Sequence, residues 1–336
     1  MNRILLSTTL TLAAAAPVAI HAEDLSGNPN RFSFGPRFGL NFKADFQNKG
    51  FSLNAPNPGP AAGGANHTYD DGFVLLDGSG NAGGLTWNWG YQNGSQVMGD
   101  TMQFHSLQPA GGGSASATDN PQYGAELIYQ RILGPLPVLG AAAWGLEGGF
   151  GFTDLDLRND RNGTVPVTTD TFPLNGVLPP GAGYNGTFQG PGALLGDTPI
   201  RTTGSAALTS KQRLSGQLFS LRLGPFVEWH FTPQLSLAAS AGLTLAPATV
   251  DYDFSETAAL AGGGTSASSG HSSKTKLLYG PYVGGTVRYS FNRSWDIYVG
   301  AQFQSLTDLK QSVGGHTARL DPGVTVYLTA GASWNF

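Results

Sequence analysis

The feature that most constrains this chain is an alternation of apolar and polar residues that recurs along most of its length. Successive side chains of a β-strand point to opposite faces, so the pattern gives each segment one apolar and one polar face. In the first segment, Phe32, Phe34 and Phe38 alternate with small or polar residues. Counting one less regular segment, 97–107, the pattern predicts ten strands: 32–46, 85–92, 97–107, 123–130, 144–152, 219–229, 235–245, 283–291, 295–304 and 324–336.

The amino terminus indicates export. Residues 1–22 have the features of a cleaved secretory signal peptide, with Arg3 before an apolar core and Ala22 at the expected cleavage point. After residue 22 no apolar run approaches the roughly 18 residues that a membrane-spanning helix needs. An exported chain of this kind can span a membrane only as a closed barrel, since every backbone polar group there must be paired. We therefore predict that residues 23–336 form a single all-β, transmembrane, up-and-down antiparallel β-barrel, with ten strands favoured and eight or twelve as alternatives.

Composition excludes several classes of function. Only 12% of the 336 residues are charged while 40% are hydrophobic, and a soluble protein with so few charges needs a larger apolar core. The chain contains no cysteine, which excludes disulfides, thiolate metal sites and a cysteine nucleophile. Its formal net charge of −4 gives no basic field for nucleic acid.

The connections between the predicted strands alternate between long and short. The long ones are rich in Gly, Pro, Ser, Asn and Asp and comprise 47–83, 108–120, 158–211, 255–273 and 306–317. The short ones lie near 94–96, 134–138, 232–234 and 292–294. Membrane barrels have long surface loops at one end and tight turns at the other, whereas a soluble sandwich has no reason to sort its loops by end.

The final strand ends in Trp334-Asn335-Phe336, with Leu328, Ala330 and Ala332 on the same face. This resembles the carboxyl-terminal signal of Gram-negative bacterial outer-membrane β-barrel proteins, which end in phenylalanine with another aromatic residue two positions earlier. The resemblance reaches the class and no family within it. It implies a location in the cell outer membrane, contact with outer-membrane lipid, and recognition of Trp334 and Phe336 by the barrel-insertion machinery. Aromatic residues near the short turns fit a membrane-interface girdle: Tyr129, Trp229, Phe231, Tyr289, Phe291 and Trp295.

Charged residues on the polar faces indicate a charge layer inside the barrel. A hairpin centred at 136–137 places Glu126 almost opposite Glu147, where two carboxylates need compensating cations. Arg222 on the next strand can reach Glu147, and Arg37 can reach across the lumen. A turn at Asn292 predicts that two further members face each other directly: Arg288 and Asp296.

Three interpretations compete for this layer. The favoured one is a salt-bridged interior that fills a narrow lumen. The second is a charged constriction in a small, porin-like pore. The third, a catalytic carboxylate pair, is the least favoured.

The sequence offers little for catalysis. His105 is the one histidine within a predicted strand, but Ser106 beside it points to the opposite face. The chain lacks the Gly-x-Ser-x-Gly and His-Glu-x-x-His patterns. We therefore expect no catalytic residues, no metal and no cofactor.

Segment 158–211 is low in charge and contains scattered apolar residues, which predicts a cap over the barrel mouth or a partial plug; a disordered loop is the alternative. Segment 255–273 is expected to be flexible, and 69–76 to add a short hairpin strand. The sequence favours a non-enzymatic structural or small-pore protein. The alternative is a surface adhesion or ligand-binding barrel acting through 158–211, and a hydrolase is less favoured. Candidate partners are small solutes or surface ligands.

Overall fold

The computed structural model describes residues 28–48, 57–61, 66–108, 113–118, 121–139, 141–260 and 264–336. The predicted signal peptide, 1–22, lies outside this part of the chain. Three short 3-10 helices span Ala82–Gly84, Gly94–Gln96 and Pro137–Leu139. The strands are β1 Asn30–Leu40, β2 Lys43–Asn48, β3 His67–Tyr69, β4 Gly72–Val74, β5 Leu85–Thr86, β6 Trp89–Tyr91, β7 Val97–Met98, β8 Thr101–Leu107, β9 Ser114–Ala117, β10 Gln122–Pro135, β11 Ala142–Pro173, β12 Leu195–Gly196, β13 Ile200–His230, β14 Leu235–Ala259, β15 Thr265–Ser290, β16 Trp295–Ser305, β17 Leu309–Val313, β18 His316–Asp321 and β19 Val324–Asn335.

Eight of these strands close into a ring. The order around it is β1-β10-β11-β13-β14-β15-β16-β19, every neighbouring pair is antiparallel, and β19 pairs with β1 to complete the circle. The predicted all-β, up-and-down antiparallel barrel is confirmed. The ring contains eight strands in the described residues, which was one of the alternatives, and not the ten that the sequence favoured.

The two extra strands were predicted from segments that belong elsewhere. Residues 85–92 contribute β5 and β6, which pair with β12 and β4, and residues 97–107 contribute β7 and β8. Strand β8 pairs with the distal end of the ring strand β11, at 167–173, beyond the part of β11 that pairs with β10. Trp89 and Tyr91 are buried at 0% and 4% exposure in a separate core. Alternation cannot distinguish an apolar face packed on such a core from one that faces lipid.

The outer face of the ring is an apolar band. On β14 the outward side chains of Leu235, Leu237, Leu243 and Leu245 are all exposed. The ten steps from Leu235 to Leu245, at about 3.3 Å each and tilted by about 40°, give a band roughly 25 Å high, which is the height of a membrane barrel's lipid-facing surface. The predicted class, an outer-membrane β-barrel, is confirmed at this level. Within the described residues, no helix has the length and apolar character needed to cross a membrane.

Aromatic side chains mark the end of the ring that bears the short turns, here called the proximal end. Phe32, Trp334 and Phe336 stack there, with ring centroids 4.7 Å apart for Trp334–Phe336 and 5.6 Å for Phe32–Phe336. Phe291 and Trp295 are also exposed at this end. The structure therefore places the predicted terminal pair, Trp334 and Phe336, on the lipid-facing surface at an interface.

At the opposite, distal end the two halves of the ring differ. Strands β11, β13, β14 and β15 continue without a break far beyond the apolar band, and we call this extension the back wall. The other four stop near its edge and resume as a separate sheet, β17-β18-β2-β9, which we call the front sheet. Its order repeats that of β16-β19-β1-β10 below it. Asn41 (φ 66°) and Gly323 (φ 46°) adopt left-handed conformations at two of these breaks.

The front sheet and the back wall pack face to face. Phe46 of β2 and Leu320 of β18 share one buried cluster with Leu157, Leu214 and Val250 of the back wall. The barrel therefore narrows above the band into a two-layer sandwich with an apolar interior. The first predicted strand, 32–46, is divided by this change: its second half belongs to the front sheet.

Two segments predicted as loops are largely strand. Within 158–211, β11 runs to Pro173 and β13 begins at Ile200, so the connection is only 174–199. Within 255–273, β14 reaches Ala259 and β15 begins at Thr265. Both faces of these extensions are polar in long stretches, so they lack the alternation by which strands were recognised. Residues 66–108 and 174–199 form a small unit beside the distal end of β11, which we call the cap. Its core consists of Tyr69, Val74, Trp89, Tyr91, Met102, Phe104, Phe172, Leu174 and Leu195. The hairpin expected at 69–76 is present as β3 and β4.

Candidate functional site

The lumen inside the apolar band holds two layers of buried polar side chains. The lower layer, nearest the proximal end, centres on Glu228, which is 0% exposed. Its carboxylate accepts hydrogen bonds from Arg31 Nη1 at 2.9 Å and Ser236 Oγ at 2.6 Å, and it lies 3.5 Å from Arg288 Nη1. Asp296 lies 3.5 Å from Arg31 Nε on the opposite side. Two carboxylates, Glu228 and Asp296, thus compensate the guanidinium groups of Arg31 and Arg288.

The upper layer centres on Arg222. Its Nη1 donates to Glu126 at 3.3 Å and its Nε lies 3.7 Å from Glu147. Tyr282 OH donates to Glu147 at 2.9 Å, and Tyr298 OH donates to Glu126 at 3.4 Å. Each carboxylate therefore has both a cation and a neutral donor, as buried charges require.

Arg37 lies above these pairs, at the distal end of the polar lumen. Its guanidinium donates to Ser220 Oγ at 2.8 Å and Gln304 Oε1 at 3.3 Å, and lies 3.4 Å from the centroid of the Tyr327 ring. The other edge of Tyr327 contacts Phe42, at 6.0 Å between centroids. Because Arg37, Tyr327 and Phe42 are each at most 1% exposed, the polar lumen ends against the apolar sandwich above it.

Glycines on β11 make room for the arginines. A Cβ on Gly151 would lie 2.1 Å from Arg37 Nη1, and one on Gly149 would lie 2.6 Å from Arg222 Nε. Because Gly149 and Gly151 carry no side chain, the lumen beside β11 has room for the long side chains of Arg222 and Arg37 from other strands.

The six predicted layer residues all lie in the lumen, but two predicted pairings are wrong. Glu126 stands opposite Gly151, and Glu147 opposite Gln130, because the β10–β11 connection is longer than assumed and its centre lies two residues further on. Arg222 nevertheless bridges the two carboxylates. Arg288 stands opposite Tyr298, two residues along the strand from the predicted Asp296. It donates instead to Gln130, at 2.7 Å.

The sequence interpretation missed two central members of the lower layer, Arg31 and Glu228. Both follow from alternation: Arg31 shares the inward face of β1 with Arg37, and Glu228 shares that of β13 with Arg222. With them, four arginines face four carboxylates: Arg31, Arg37, Arg222 and Arg288 against Glu126, Glu147, Glu228 and Asp296.

A second buried ion pair lies in the sandwich above the membrane band. His316 Nε2 of the front sheet is 3.2 Å from Glu256 Oε2 of the back wall, and the imidazole stacks on Phe254 at 3.9 Å. Ser210 Oγ donates to the same carboxylate at 3.0 Å. Burial alone would raise the pKa of Glu256 and lower that of His316, but their mutual attraction reverses both shifts, so the pKa of Glu256 falls and that of His316 rises.

This pair predicts a pH-dependent stability. The stabilisation should be complete between the ordinary pKa values of the two groups, about 4.3 for glutamate and 6.5 for histidine. It is lost as pH rises through the elevated pKa of His316 or falls through the depressed pKa of Glu256. We expect the unfolding temperature of the detergent-solubilised protein to fall by a few degrees as pH rises from 6 to 9, and His316→Gln to remove most of that dependence.

The matched control for that measurement is His271→Gln. His271 also pairs with a carboxylate, at 2.7 Å from Asp253, but its side chain is 61% exposed, so the pair contributes little. A pH dependence that survives in His316→Gln but disappears in His271→Gln would contradict the assignment.

The cap is fixed to the back wall by a buried carboxylate. Asp170 of β11 accepts hydrogen bonds from Tyr69 OH and Arg201 Nη2, both at 2.6 Å. Arg201 also donates to the carbonyls of Pro58 and Gly59, at 2.9 and 2.8 Å. Burial and the bond to Asp170 raise the pKa of Tyr69, so the phenol stays protonated and keeps donating.

His105, the histidine considered for catalysis, is paired but enclosed. Its Nδ1 lies 2.6 Å from Asp71 Oδ2, and its backbone N–H donates to the other oxygen of that carboxylate at 2.8 Å. Both residues are buried, and Ser106 lies on the other face of β8. The arrangement fastens β8 to the β3–β4 turn. Among the described residues, no cluster of three or more His, Cys, Asp or Glu side chains could hold a metal ion.

The sequence matches no protein-family model, and no curated protein matches it. Several solved structures are similar to the chain. Ail, the attachment invasion locus protein of Yersinia pestis, is 9% identical, with 90% of this chain and 98% of that chain covered and a TM-score of 0.27. The outer membrane protease OmpT from Escherichia coli is 14% identical (92% and 97% covered, TM-score 0.31), and the outer membrane protein OprG from Pseudomonas aeruginosa is 10% identical (92% and 97% covered, TM-score 0.28). Identities and TM-scores this low assign neither a family nor an activity to this chain.

Proposed function

We propose that this protein is a non-enzymatic outer-membrane barrel whose lumen is a sealed structural core and whose distal part binds a protein partner at the cell surface. The observation that carries the proposal is the contrast between the two ends of the lumen. Within the apolar band, four buried arginines are matched by four carboxylates. At the distal end, the sandwich replaces the open mouth that a pore needs. A salt-bridged filling therefore fits better than a charged constriction.

The surface role rests on the cap and the walls beneath it. Beyond the apolar band the back wall extends by about twenty residues on β11 and carries the cap away from the bilayer. Segment 174–199 and the start of β13 expose large apolar side chains to solvent: Leu178 at 89%, Ile200 at 73% and Phe188 at 53%. We propose that these three side chains belong to one binding surface, since a contiguous exposed apolar patch marks a protein-interaction site.

Outer-membrane lipid is the proposed partner of the apolar band, with the proximal end facing the periplasm and the cap facing outward. Trp334 and Phe336 are proposed to be recognised by the barrel-insertion machinery before the strand β19 closes on β1. Export through a cleaved signal peptide belongs to the same proposal. No catalytic, metal or cofactor role is assigned to any residue.

The test is a triple substitution, Leu178→Ser, Phe188→Ser and Ile200→Ser. Cells that display the intact protein should adhere to at least one of a panel of protein-coated surfaces. The triple variant should lose most of that adhesion, about tenfold in retained cells, because the apolar contacts at an interface centre supply most of the binding free energy. Val138→Ser is the matched control, since Val138 is 91% exposed but lies at the proximal turn.

Planar-bilayer recording of the same purified protein tests the sealed lumen. The proposal expects no stable single-channel steps, and such steps would reject it in favour of a small pore. Adhesion that is equal in the triple variant and the Val138→Ser control would reject the cap as the binding surface.

A further inference from the structure

A cavity opens where the front sheet meets the back wall on one side of the sandwich. Strand β9 is the edge of the front sheet, and no backbone ladder joins it to β11 among the described residues. Arg161 Nη2 spans the gap by donating to the carbonyl of Ser114 at 3.2 Å. The cavity at this seam, which we call the seam pocket, has a volume of about 260 Å³.

The back wall supplies the inner surface of the seam pocket from two paired strands. Asn159 of β11 stands opposite Gln212 of β13, and Arg161 stands opposite Ser210. The front sheet contributes Phe46 and Asn48. These positions share the inward face of the sandwich, so their side chains are held by strands and not by loops.

The lining has an unusual chemistry for a protein surface. It contains uncharged hydrogen-bonding side chains, one cation (Arg161) and no carboxylate. Amide side chains can donate and accept at once, which matches the paired donor and acceptor character of sugar hydroxyl groups. Leu208, which is partly exposed, adds apolar surface for the carbon face of a sugar ring. The uncharged polar members are Asn48, Asn159, Asn162, Thr164, Ser210 and Gln212.

One of these groups lacks a partner. The side chain of Gln212 belongs to a residue only 5% exposed, and its Oε1 is buried without a hydrogen bond. By contrast, Ser210 and Asn48 both donate to Glu256, at 3.0 and 3.5 Å, which fixes their orientation. A buried acceptor without a donor favours a ligand that brings an O–H or N–H group to it.

We propose that the seam pocket binds one sugar unit of a glycan, uncharged or carrying a single carboxylate that pairs with Arg161. The volume suits a ligand smaller than a drug-sized molecule, whose pockets begin at about 300 Å³. Carboxylate binding by Arg161 would distinguish an acidic sugar from a neutral one. The proposal rests on the outward placement of the sandwich but not on the apolar residues of the cap, which lie on other elements.

The experiment is saturation-transfer NMR on the full-length, detergent-solubilised protein. The probes are the methyl glycosides of glucose, galactose, N-acetylglucosamine and glucuronic acid. At least one should receive saturation, and Gln212→Leu and Asn159→Leu should each weaken its binding by about tenfold. Gln217→Leu is the matched control, because Gln217 lies on the same strand but on the exposed outer face.

Heat-modifiable electrophoretic migration shows whether each variant is folded. If no glycoside receives saturation, ordered water is what satisfies Gln212, and the proposal is overturned. The same holds if Gln217→Leu weakens binding as much as the two pocket variants. Adhesion measured on Gln212→Leu separates the two proposals. Normal adhesion together with lost glycoside binding supports two independent sites. If glycoside binding survives in the cap triple variant, the seam pocket is supported even where the cap proposal fails.

Discussion

Glu228→Leu should destabilise the barrel by about 3–5 kcal/mol, because removing one partner of a buried ion network leaves the others uncompensated. Glu228 accepts from Arg31 at 2.9 Å and lies 3.5 Å from Arg288, and neither guanidinium has another carboxylate as close. Leucine fills a similar volume but offers no charge. The two arginines would then face each other across the lumen with only Asp296 near Arg31.

Urea unfolding of the protein in lipid vesicles, followed by tryptophan fluorescence, measures this loss. Asp154→Leu is the control: Asp154 is an exposed carboxylate on β11 just beyond the apolar band, and its replacement should change stability by less than about 0.5 kcal/mol. The double variant Glu228→Leu with Arg31→Met should recover part of the lost free energy of unfolding, since it removes one of the two uncompensated positive charges. Equal stability of Glu228→Leu and the intact protein would show that the lower layer is not a coupled network.

Gly151→Leu should destabilise the barrel by about 3 kcal/mol or more, since even modest overpacking of a filled interior costs about 1–3 kcal/mol. Its Cβ would lie 2.1 Å from Arg37 Nη1 and 2.6 Å from Ser220 Oγ, which are themselves hydrogen-bonded at 2.8 Å. The guanidinium would have to leave both Ser220 and the Tyr327 ring. The same unfolding measurement reports the effect.

Gly148→Leu provides the comparison, on the same strand and only three residues away. A Cβ at Gly148 meets no atom within 4 Å, because this position faces outward from the ring. Leucine there should be neutral or stabilising in lipid. If the two substitutions destabilise equally, the cost lies in strand conformation and not in the space reserved for Arg37.

The sequence predicted the barrel because lipid enforces alternation wherever a strand crosses it. The prediction of strands failed beyond the apolar band, where contact with lipid no longer requires alternation. The distal part of β13, 200–211, has polar residues on both faces, with Ser210 inward and Lys211 outward, and it falls within the segment predicted as a loop, 158–211. The opposite error concerns the cap strand β6, which the pattern predicts to be part of a membrane strand. Trp89 and Tyr91 alternate like lipid-facing residues, but they pack in one buried cluster with Phe104.

The lumen residues were predictable by type but not by partner. Arg222 and Glu147 were expected to pair, and their atoms lie 3.7 Å apart. The prediction that Glu126 lies opposite Glu147 was wrong because the register of a hairpin depends on the length of its turn. The connection after Pro135 contains a 3-10 helix and follows a bulge between Ile132 and Gly134. No pattern in the sequence fixes such a displacement.

The division of the distal end into a continuous back wall and an interrupted front sheet has a mechanical consequence. A partner that pulls on the cap transmits force into β11 and β13, which are paired at thirty consecutive positions from Ala142↔Trp229 to Thr171↔Ile200. Both strands enter the cap at the same end, so they carry the pull side by side. The ladders that join them to β10 and β14 run along the pull, so many of their hydrogen bonds are loaded together in shear. The front sheet, broken at Asn41 and Gly323, lies outside this line of tension. A pull on the cap therefore reaches the membrane through a tether of four unbroken strands, while the seam beside β9 carries little of the strain.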